Sequence, residues 1–208
     1  MQLQATESYK LRLWPLAAGL VVLLMLWLGP LPAMSRTAFS AHMMLHLGIV
    51  SVASPMVALG LVHSGAGNRF FDASFISPGL AIALDLVVVW GWHSPPLHEA
   101  AARTPLLFVL QQASFLVAGV TVWSVSFRAG GARAGVGILV MFVTFMHMAM
   151  LGILLTLAPE LLYAPDLCIG AFGFRGLEDQ RLGGLLMASL GGLPYLLGGM
   201  VLTYRMLR

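Results

Sequence analysis

Six stretches of this chain are long and apolar enough to cross a membrane. A helix needs about 20 consecutive apolar residues to span the hydrocarbon core. Only 9% of the 208 residues are charged, whereas a soluble domain carries roughly 25%. The sequence therefore predicts an all-α, polytopic membrane helix bundle that forms a single domain over residues 1–208. Its six transmembrane spans are expected at residues 13–33, 39–62, 76–94, 104–126, 135–158 and 183–204.

The basic residues predict the orientation of this bundle. Six spans place both termini on one side, and membrane proteins keep an excess of Lys and Arg in their cytoplasmic loops. The terminal side has seven basic residues, namely Lys10, Arg12, Arg69, Arg128, Arg133, Arg205 and Arg208, and the other side has four, namely Arg36, Arg103, Arg175 and Arg181. Both termini are thus expected in the cytoplasm, with the protein in the bacterial inner (plasma) membrane. Basic residues scattered over helix ends argue against nucleic acid as a partner.

Two histidines four residues apart lie inside the second predicted span. His42 and His46 would share one face of a helix, because residues i and i+4 are neighbours there. Ionisable groups at membrane depth are costly and usually mark a functional site. Imidazole together with methionine sulfur suits copper, particularly Cu(I). The pair therefore predicts a metal site, and the alternative is a pair of interhelical hydrogen-bonding histidines without metal.

Further candidate ligands fall in the half of the bundle predicted to be periplasmic. His93 ends the third span, and His147 with Met150 at i+3 shares a face of the fifth. His98 follows in the next loop as a weaker candidate. Asp85 lies in the middle of the third span, where it could support a ligand, relay protons or tie helices together. Each histidine could instead be a buried, hydrogen-bonded residue without metal.

Four motifs follow one another along the chain. They are His42-Met-Met-Leu-His46, Trp92-His93-Ser-Pro-Pro-Leu, Leu151-Gly-Ile-Leu-Leu-Thr-Leu-Ala-Pro159 with Leu162-Tyr163-Ala-Pro165, and Leu177-Glu178-Asp179-Gln180-Arg-Leu-Gly-Gly184-Leu-Leu-Met187. In this order they resemble the multi-span CtaG-type family of cytochrome c oxidase assembly factors, and the resemblance covers roughly residues 38–200.

The resemblance implies a role in maturing a haem–copper oxidase, with copper handling for the catalytic subunit. It carries metal-ligand roles to His42, His46 and His93, and a supporting role to the acidic motif at Glu178 and Asp179. The chain departs from the family at the start of the fourth span, where Gln111-Gln112 stands in place of a common histidine, and at Ala188, where a tryptophan is common.

The leading hypothesis is therefore a non-enzymatic metallochaperone that binds copper as Cu(I) on the periplasmic side. Its partners would be the oxidase catalytic subunit, a periplasmic copper chaperone and the lipid bilayer, and a homodimer through the glycine-rich sixth span stays open. One alternative is an accessory subunit of a respiratory complex without metal. Another is a haem-binding redox subunit with His46 and His147 as axial ligands. No nucleotide-binding or hydrolase motif is present.

Overall fold

The computed structural model describes residues 2–64, 77–129 and 133–208, with side chains from residue 13 onward. These residues form α-helices and short turns, with no strand among them. Arg69 and the predicted start of the third span at residue 76 lie outside the described residues. The helices are α1 (Gln2–Leu28), α2 (Leu31–Met34), α3 (Phe39–Leu47), α4 (Ser54–Ser64), α5 (Pro78–His93), α6 (Pro95–Arg103), α7 (Pro105–Arg128), α8 (Ala134–Leu157), α9 (Leu177–Leu186) and α10 (Leu193–Met206).

Four helical segments of the described chain are long and apolar enough to cross a membrane. A fifth candidate arises if α5 and α6, which meet at a bend of 72°, count as one broken span. The apolar part of α1, Leu13–Leu28, is shorter. The structure therefore confirms an all-helical protein with four to five candidate spans, while six spans and cytoplasmic termini stay predictions. The four segments are Phe39–Ser64, Pro105–Arg128, Ala134–Leu157 and Leu177–Met206.

Two of these segments contain a π-helical turn shortly before a proline. Gly48–Ala53 joins α3 to α4 ahead of Pro55, and Met187–Gly191 joins α9 to α10 ahead of Pro194. Proline cannot donate the hydrogen bond that an α-helix requires, so the ladder is disturbed at this point. Ser51 Oγ in the first turn donates to the Gly191 carbonyl oxygen of the second at 3.3 Å. The two irregular turns are therefore packed against each other.

The corner between α5 and α6 brings the chain back toward the bundle. Ser94 is extended (φ −66°, ψ 137°), as expected for a residue before proline. Its Oγ donates to the Gly91 carbonyl oxygen at 2.6 Å and so satisfies one of the free carbonyls at the end of α5. This corner places the side chains of α6 beside the last turn of α5.

Small residues allow the helices to pack closely in the absence of a hydrophobic driving force between them. A Cβ atom on Gly152 of α8 would lie 2.4 Å from the backbone nitrogen of Ala188. A Cβ atom on Gly184 of α9 would lie 2.7 Å from the backbone nitrogen of Thr156. The glycines of the sixth predicted span thus let it approach α8 within the same chain.

We predict that Gly152→Ala destabilises the bundle, whereas Gly135→Ala on the same helix does not. The first methyl group meets backbone atoms that cannot move aside, and overpacking of this kind costs about 1–3 kcal/mol. The second meets nothing within 4 Å, and alanine favours helix by up to about 1 kcal/mol over glycine. Unfolding in mixed detergent micelles measures both, and equal stability of the two variants would contradict the close contact.

Candidate metal centre

Four histidines from three helices meet near one end of the bundle. His42 and His46 come from α3, His93 ends α5, and His98 lies on α6; we call these four the histidine cluster. The ring centroid of His42 is 4.7 Å from that of His98 and 5.4 Å from that of His93, and His46 is 5.1 Å from His93. All four side chains are buried, with at most 4% exposure.

Local geometry and aromatic walls fix the positions of these rings. The i, i+4 spacing stacks the His42 and His46 rings almost parallel, with centroids 6.4 Å apart. Phe115 of α7 packs on His46 at a centroid distance of 4.1 Å. Phe39, one turn before His42, contacts His98 at 5.4 Å. The cluster is therefore enclosed by aromatic rings.

The ring nitrogens of the cluster have few hydrogen-bond partners. His93 Nδ1 bonds to the Val89 carbonyl oxygen at 2.6 Å, and since a carbonyl only accepts, Nδ1 carries the proton. The neutral ring then presents the lone pair of Nε2, which is buried without a partner. His42 Nε2, both nitrogens of His46 and His98 Nδ1 are also buried and unpartnered. Buried polar atoms of this kind are rare and call for an explanation such as an ion or water.

A second buried pair lies beside the cluster. His147 Nε2 of α8 is 2.9 Å from Asp85 Oδ2 of α5, and both side chains are at most 4% exposed. His147 Nδ1 is buried without a partner, and His147 lies near His46. A carboxylate behind a histidine is the usual support of a metal-ligating imidazole, because it fixes the tautomer and raises the basicity of the ring.

The donor atoms do not converge on one point in this conformation. Among the described residues, no group of three or more His, Cys, Asp or Glu side chains is arranged to hold a metal ion. The imidazoles are close together, buried and unpartnered, so small ring rotations would be required to direct two or more nitrogens at one ion.

The carboxylate of Asp179 caps the helix that carries His42 and His46. Its Oδ2 accepts hydrogen bonds from the backbone nitrogens of Phe39 at 2.6 Å and Ser40 at 3.3 Å. Its Oδ1 accepts from Ser40 Oγ and from the backbone nitrogen of Ala171. The Phe39 and Ser40 donors belong to the free N-terminal turn of α3, where a negative charge is also favoured by the helix dipole. Asp179, on α9, thus holds α3 in place from another part of the chain.

Residues 160–176, which we call the covering loop, close the cluster at this end. Tyr163 lies against the ring of His98 at a centroid distance of 4.5 Å, and its hydroxyl donates to the His93 carbonyl oxygen at 2.9 Å. The backbone nitrogen of Ala164 donates to Glu99 at 2.9 Å. Arg103 pairs with Asp166 through two hydrogen bonds, but both side chains are exposed and such pairs contribute little stability.

Two glutamines occupy the part of α7 where the sequence departs from the family pattern. Gln111 lies four residues before Phe115, on the helix face that meets the cluster. Gln112 Nε2 donates to Gln111 Oε1 at 3.1 Å, whereas Gln111 Nε2 is buried without a partner. A carboxamide therefore stands on the cluster side of α7, where the resemblance leads us to expect an imidazole.

The structure brings together only part of the predicted set. Met150 is half exposed on the outside of the bundle, so it lies apart from the cluster. Glu178 is exposed, unlike the buried Asp179. His98, which the sequence marked only weakly, belongs to the cluster, with its ring 4.7 Å from that of His42. The signal that could have found it is its position just after the Pro95-Pro96 corner, which folds α6 back onto His93.

Cys168 in the covering loop is a free cysteine close to the cluster. Its side chain is 3% exposed. Burial, together with the nearby carboxylates of Asp179, Glu99 and Asp166, raises the pKa of the thiol to about 12. Cys168 is therefore a protonated thiol at neutral pH, and the thiolate is the form that binds metal.

The fold and the cluster together define a multi-pass helical membrane protein with buried, unpartnered histidines near one end. The family described as cytochrome c oxidase caa3 assembly factor (Caa3_CtaG) matches residues 3–208, and the chain belongs to this family. No curated protein and no solved structure matches the chain. Family membership places the protein among the cytochrome c oxidase assembly factors, which implies an oxidase as its partner.

We predict that Asp179→Asn destabilises the protein by about 1–3 kcal/mol, because the amide leaves buried donors of α3 poorly paired. Glu178→Gln, the exposed neighbour, should change stability by less than about 0.5 kcal/mol. Hydrogen exchange measured by mass spectrometry should also increase at the start of α3 in Asp179→Asn only. Unchanged exchange there would contradict the capping role.

We expect Cys168 to react slowly with iodoacetamide at pH 8, since almost none of the buried thiol is ionised so far below its pKa. The same protein in denaturant should react at the rate of a free thiol. The measurement is the fraction alkylated over time by intact-mass spectrometry. Equal rates in the folded and unfolded states would show an accessible thiolate instead.

Proposed function

We propose that this protein binds Cu(I) at the histidine cluster and delivers it to the catalytic subunit of a haem–copper cytochrome c oxidase during assembly. The observation that carries the proposal is the close packing of four buried imidazoles from three helices with unpartnered ring nitrogens. Imidazole nitrogen suits copper, and a dry, aromatic-walled site excludes competing water. Copper is here a cargo that passes through the protein.

The ligand roles follow from the hydrogen bonds of each ring. His93 offers Nε2, because Nδ1 is bonded to the Val89 carbonyl. His147 offers Nδ1 in the same way, since Asp85 holds Nε2. His42, His46 and His98 contribute nitrogens that form no hydrogen bond within the protein. These nitrogens can therefore bind an ion without breaking an existing hydrogen bond. Asp179 supports the site by holding α3.

Release of the ion is favoured by the lack of a preassembled set of three ligands. Cu(I) is stable with few donors, so two imidazoles can hold it while others stay free to exchange. With the termini in the cytoplasm, the cluster would face the periplasm, where a periplasmic copper chaperone could supply the ion. Met150 lies on the outside of the bundle and would not be a ligand in this cluster.

An accessory subunit of the oxidase complex that holds no metal is the second candidate. It is favoured by the finding that, among the described residues, the donor atoms do not converge on one point in this conformation. Under this alternative, the buried histidines would serve as polar contacts between helices. Stable association with an oxidase and no copper retention distinguish it from a carrier.

The proposal predicts retention of about one Cu(I) per protein after anaerobic loading and desalting. The double change His42→Ala, His46→Ala should abolish retention, because it removes both ligands of α3. His63→Ala is the matched control, since His63 is exposed at the far end of α4, about 25 Å from His46 along the helix. Asp85→Asn should weaken binding about 10–100-fold by removing the support of His147.

Three results would decide between the candidates. Copper retained by the wild type and by His63→Ala, but lost from the double variant, supports the carrier. No copper in a folded wild-type protein that co-purifies with an oxidase supports the accessory subunit. A haem absorbance band in the purified protein would instead indicate the redox alternative.

A further inference from the structure

A cleft lies between the end of α1 and the start of α7. Its volume is about 300 Å³, at the lower end of the range for small-molecule sites. Its walls are almost entirely apolar, and its floor contains one carboxamide. It is lined by Trp27, Pro32, Phe108, Val109, Gln112 and Ala113.

Gln112 is the polar group in this cleft and is 4% exposed. Its Nε2 bonds to Gln111, which leaves its Oε1 buried without a partner. The two ends of a carboxamide are assigned from their hydrogen bonds, and turning both amides preserves the bond between them. The cleft can therefore present either a buried acceptor or a buried donor. In a membrane, an unsatisfied group of this kind is costly and points to a ligand.

A cation stands at the edge of the same cleft. The guanidinium carbon of Arg36 lies 5.0 Å from the centroid of the Phe108 ring, a cation–π contact. Among the described residues, Arg36 forms no ion pair with a carboxylate. Arginine that is stacked on an aromatic ring and has no carboxylate partner is well suited to a phosphate group.

We propose that this cleft binds one diacyl phospholipid. Arg36 would hold the phosphate, the Gln112 amide would donate to an ester carbonyl, and an acyl chain would lie against Trp27, Val109 and Ala113. Gln112 is four residues beyond Phe108, which is about 6 Å further along α7. Phosphate, ester and acyl chain follow one another in the same order from the surface of a bilayer inward. The inference does not depend on copper binding.

The chemistry of the cleft favours a lipid over a helix of a partner protein. A helix is about 10 Å across with its side chains, so it could place only one side chain in a cleft of this volume. That side chain would have to satisfy both the Gln112 amide and the Arg36 guanidinium. A phospholipid carries a phosphate anion, ester carbonyls and apolar chains on one molecule.

The test uses the full-length protein delipidated in detergent and probed with dioleoyl phosphatidylglycerol. Native mass spectrometry measures the fraction of protein that retains one lipid over a lipid titration. Arg36→Gln should weaken retention about tenfold, the loss expected for a hydrogen bond to a charged group. Ala113→Trp should abolish retention by filling the cleft, and since Ala113 is exposed the bundle can fold around the larger side chain.

Two matched variants control for charge and for bulk. Arg175→Gln removes an exposed arginine from the covering loop, and Val117→Trp adds the same bulk to an exposed position of α7. Neither should change lipid retention. Dioleoylglycerol, which lacks the phosphate, and glycerol 3-phosphate, which lacks the chains, should each bind at least tenfold more weakly than the phospholipid.

Several outcomes would overturn the proposal. Retention of the lipid by folded Ala113→Trp would show that the lipid binds elsewhere. An equal loss of lipid retention in Arg36→Gln and Arg175→Gln would show that the effect depends only on net charge. Binding of glycerol 3-phosphate as tight as that of the phospholipid would indicate a free phosphate site. A shift of wild type from monomer to dimer that Ala113→Trp abolishes would assign the cleft to a second copy.

Discussion

The carboxylate of Asp179 is the contact on which the arrangement of this end of the protein depends. It accepts hydrogen bonds from two backbone nitrogens and one hydroxyl at the start of α3, and one from the covering loop at Ala171. These groups lie in three separate segments, of which α9 is about 140 residues beyond α3 along the chain. Because α3 carries His42 and His46, the orientation of α9 determines where both imidazoles stand relative to α5 and α6.

Polar groups within this bundle are used mainly to position the histidines. Val89 fixes the tautomer of His93, Asp85 fixes that of His147, and Tyr163 donates to the backbone at the end of α5. In hydrocarbon, each of these bonds avoids the penalty of an unsatisfied polar group. The chain nevertheless leaves several ring nitrogens unpaired at the centre of the cluster. A binding site requires this arrangement, in which hydrogen bonds hold the outer groups in place while the inner ring nitrogens stay available to a ligand.

The sequence predicts an all-helical protein correctly, because long apolar runs and prolines at their ends are local signals, whereas its six spans stay a prediction beside the four to five candidates of the structure. It also predicts that His42 and His46 share a face. The resemblance gives Asp179 a supporting role, but its contact with the start of α3 could not be predicted, since an acidic residue near a helix start is usually interpreted as a favourable charge on its own helix. The position of His98 depends on the bend at Ser94, and no local sequence pattern specifies the angle of that bend. Met150 shares a helix face with His147 at i+3, but the packing of α8 buries only the part of that face that carries His147.

The distances within the cluster bear on the kind of metal site that it could form. A resident cofactor is held best by a complete set of ligands whose positions are fixed before the ion arrives, and such a set also makes release slow. Here the ring centroids of His42 and His98 are 4.7 Å apart, and those of His46 and His93 are 5.1 Å apart. The two pairs are linked by His42 and His93, whose centroids are 5.4 Å apart. An ion held by one pair would therefore always have another imidazole within reach. Stepwise exchange of one ligand at a time avoids a bare ion in a low-dielectric interior, and a carrier needs this property more than high affinity.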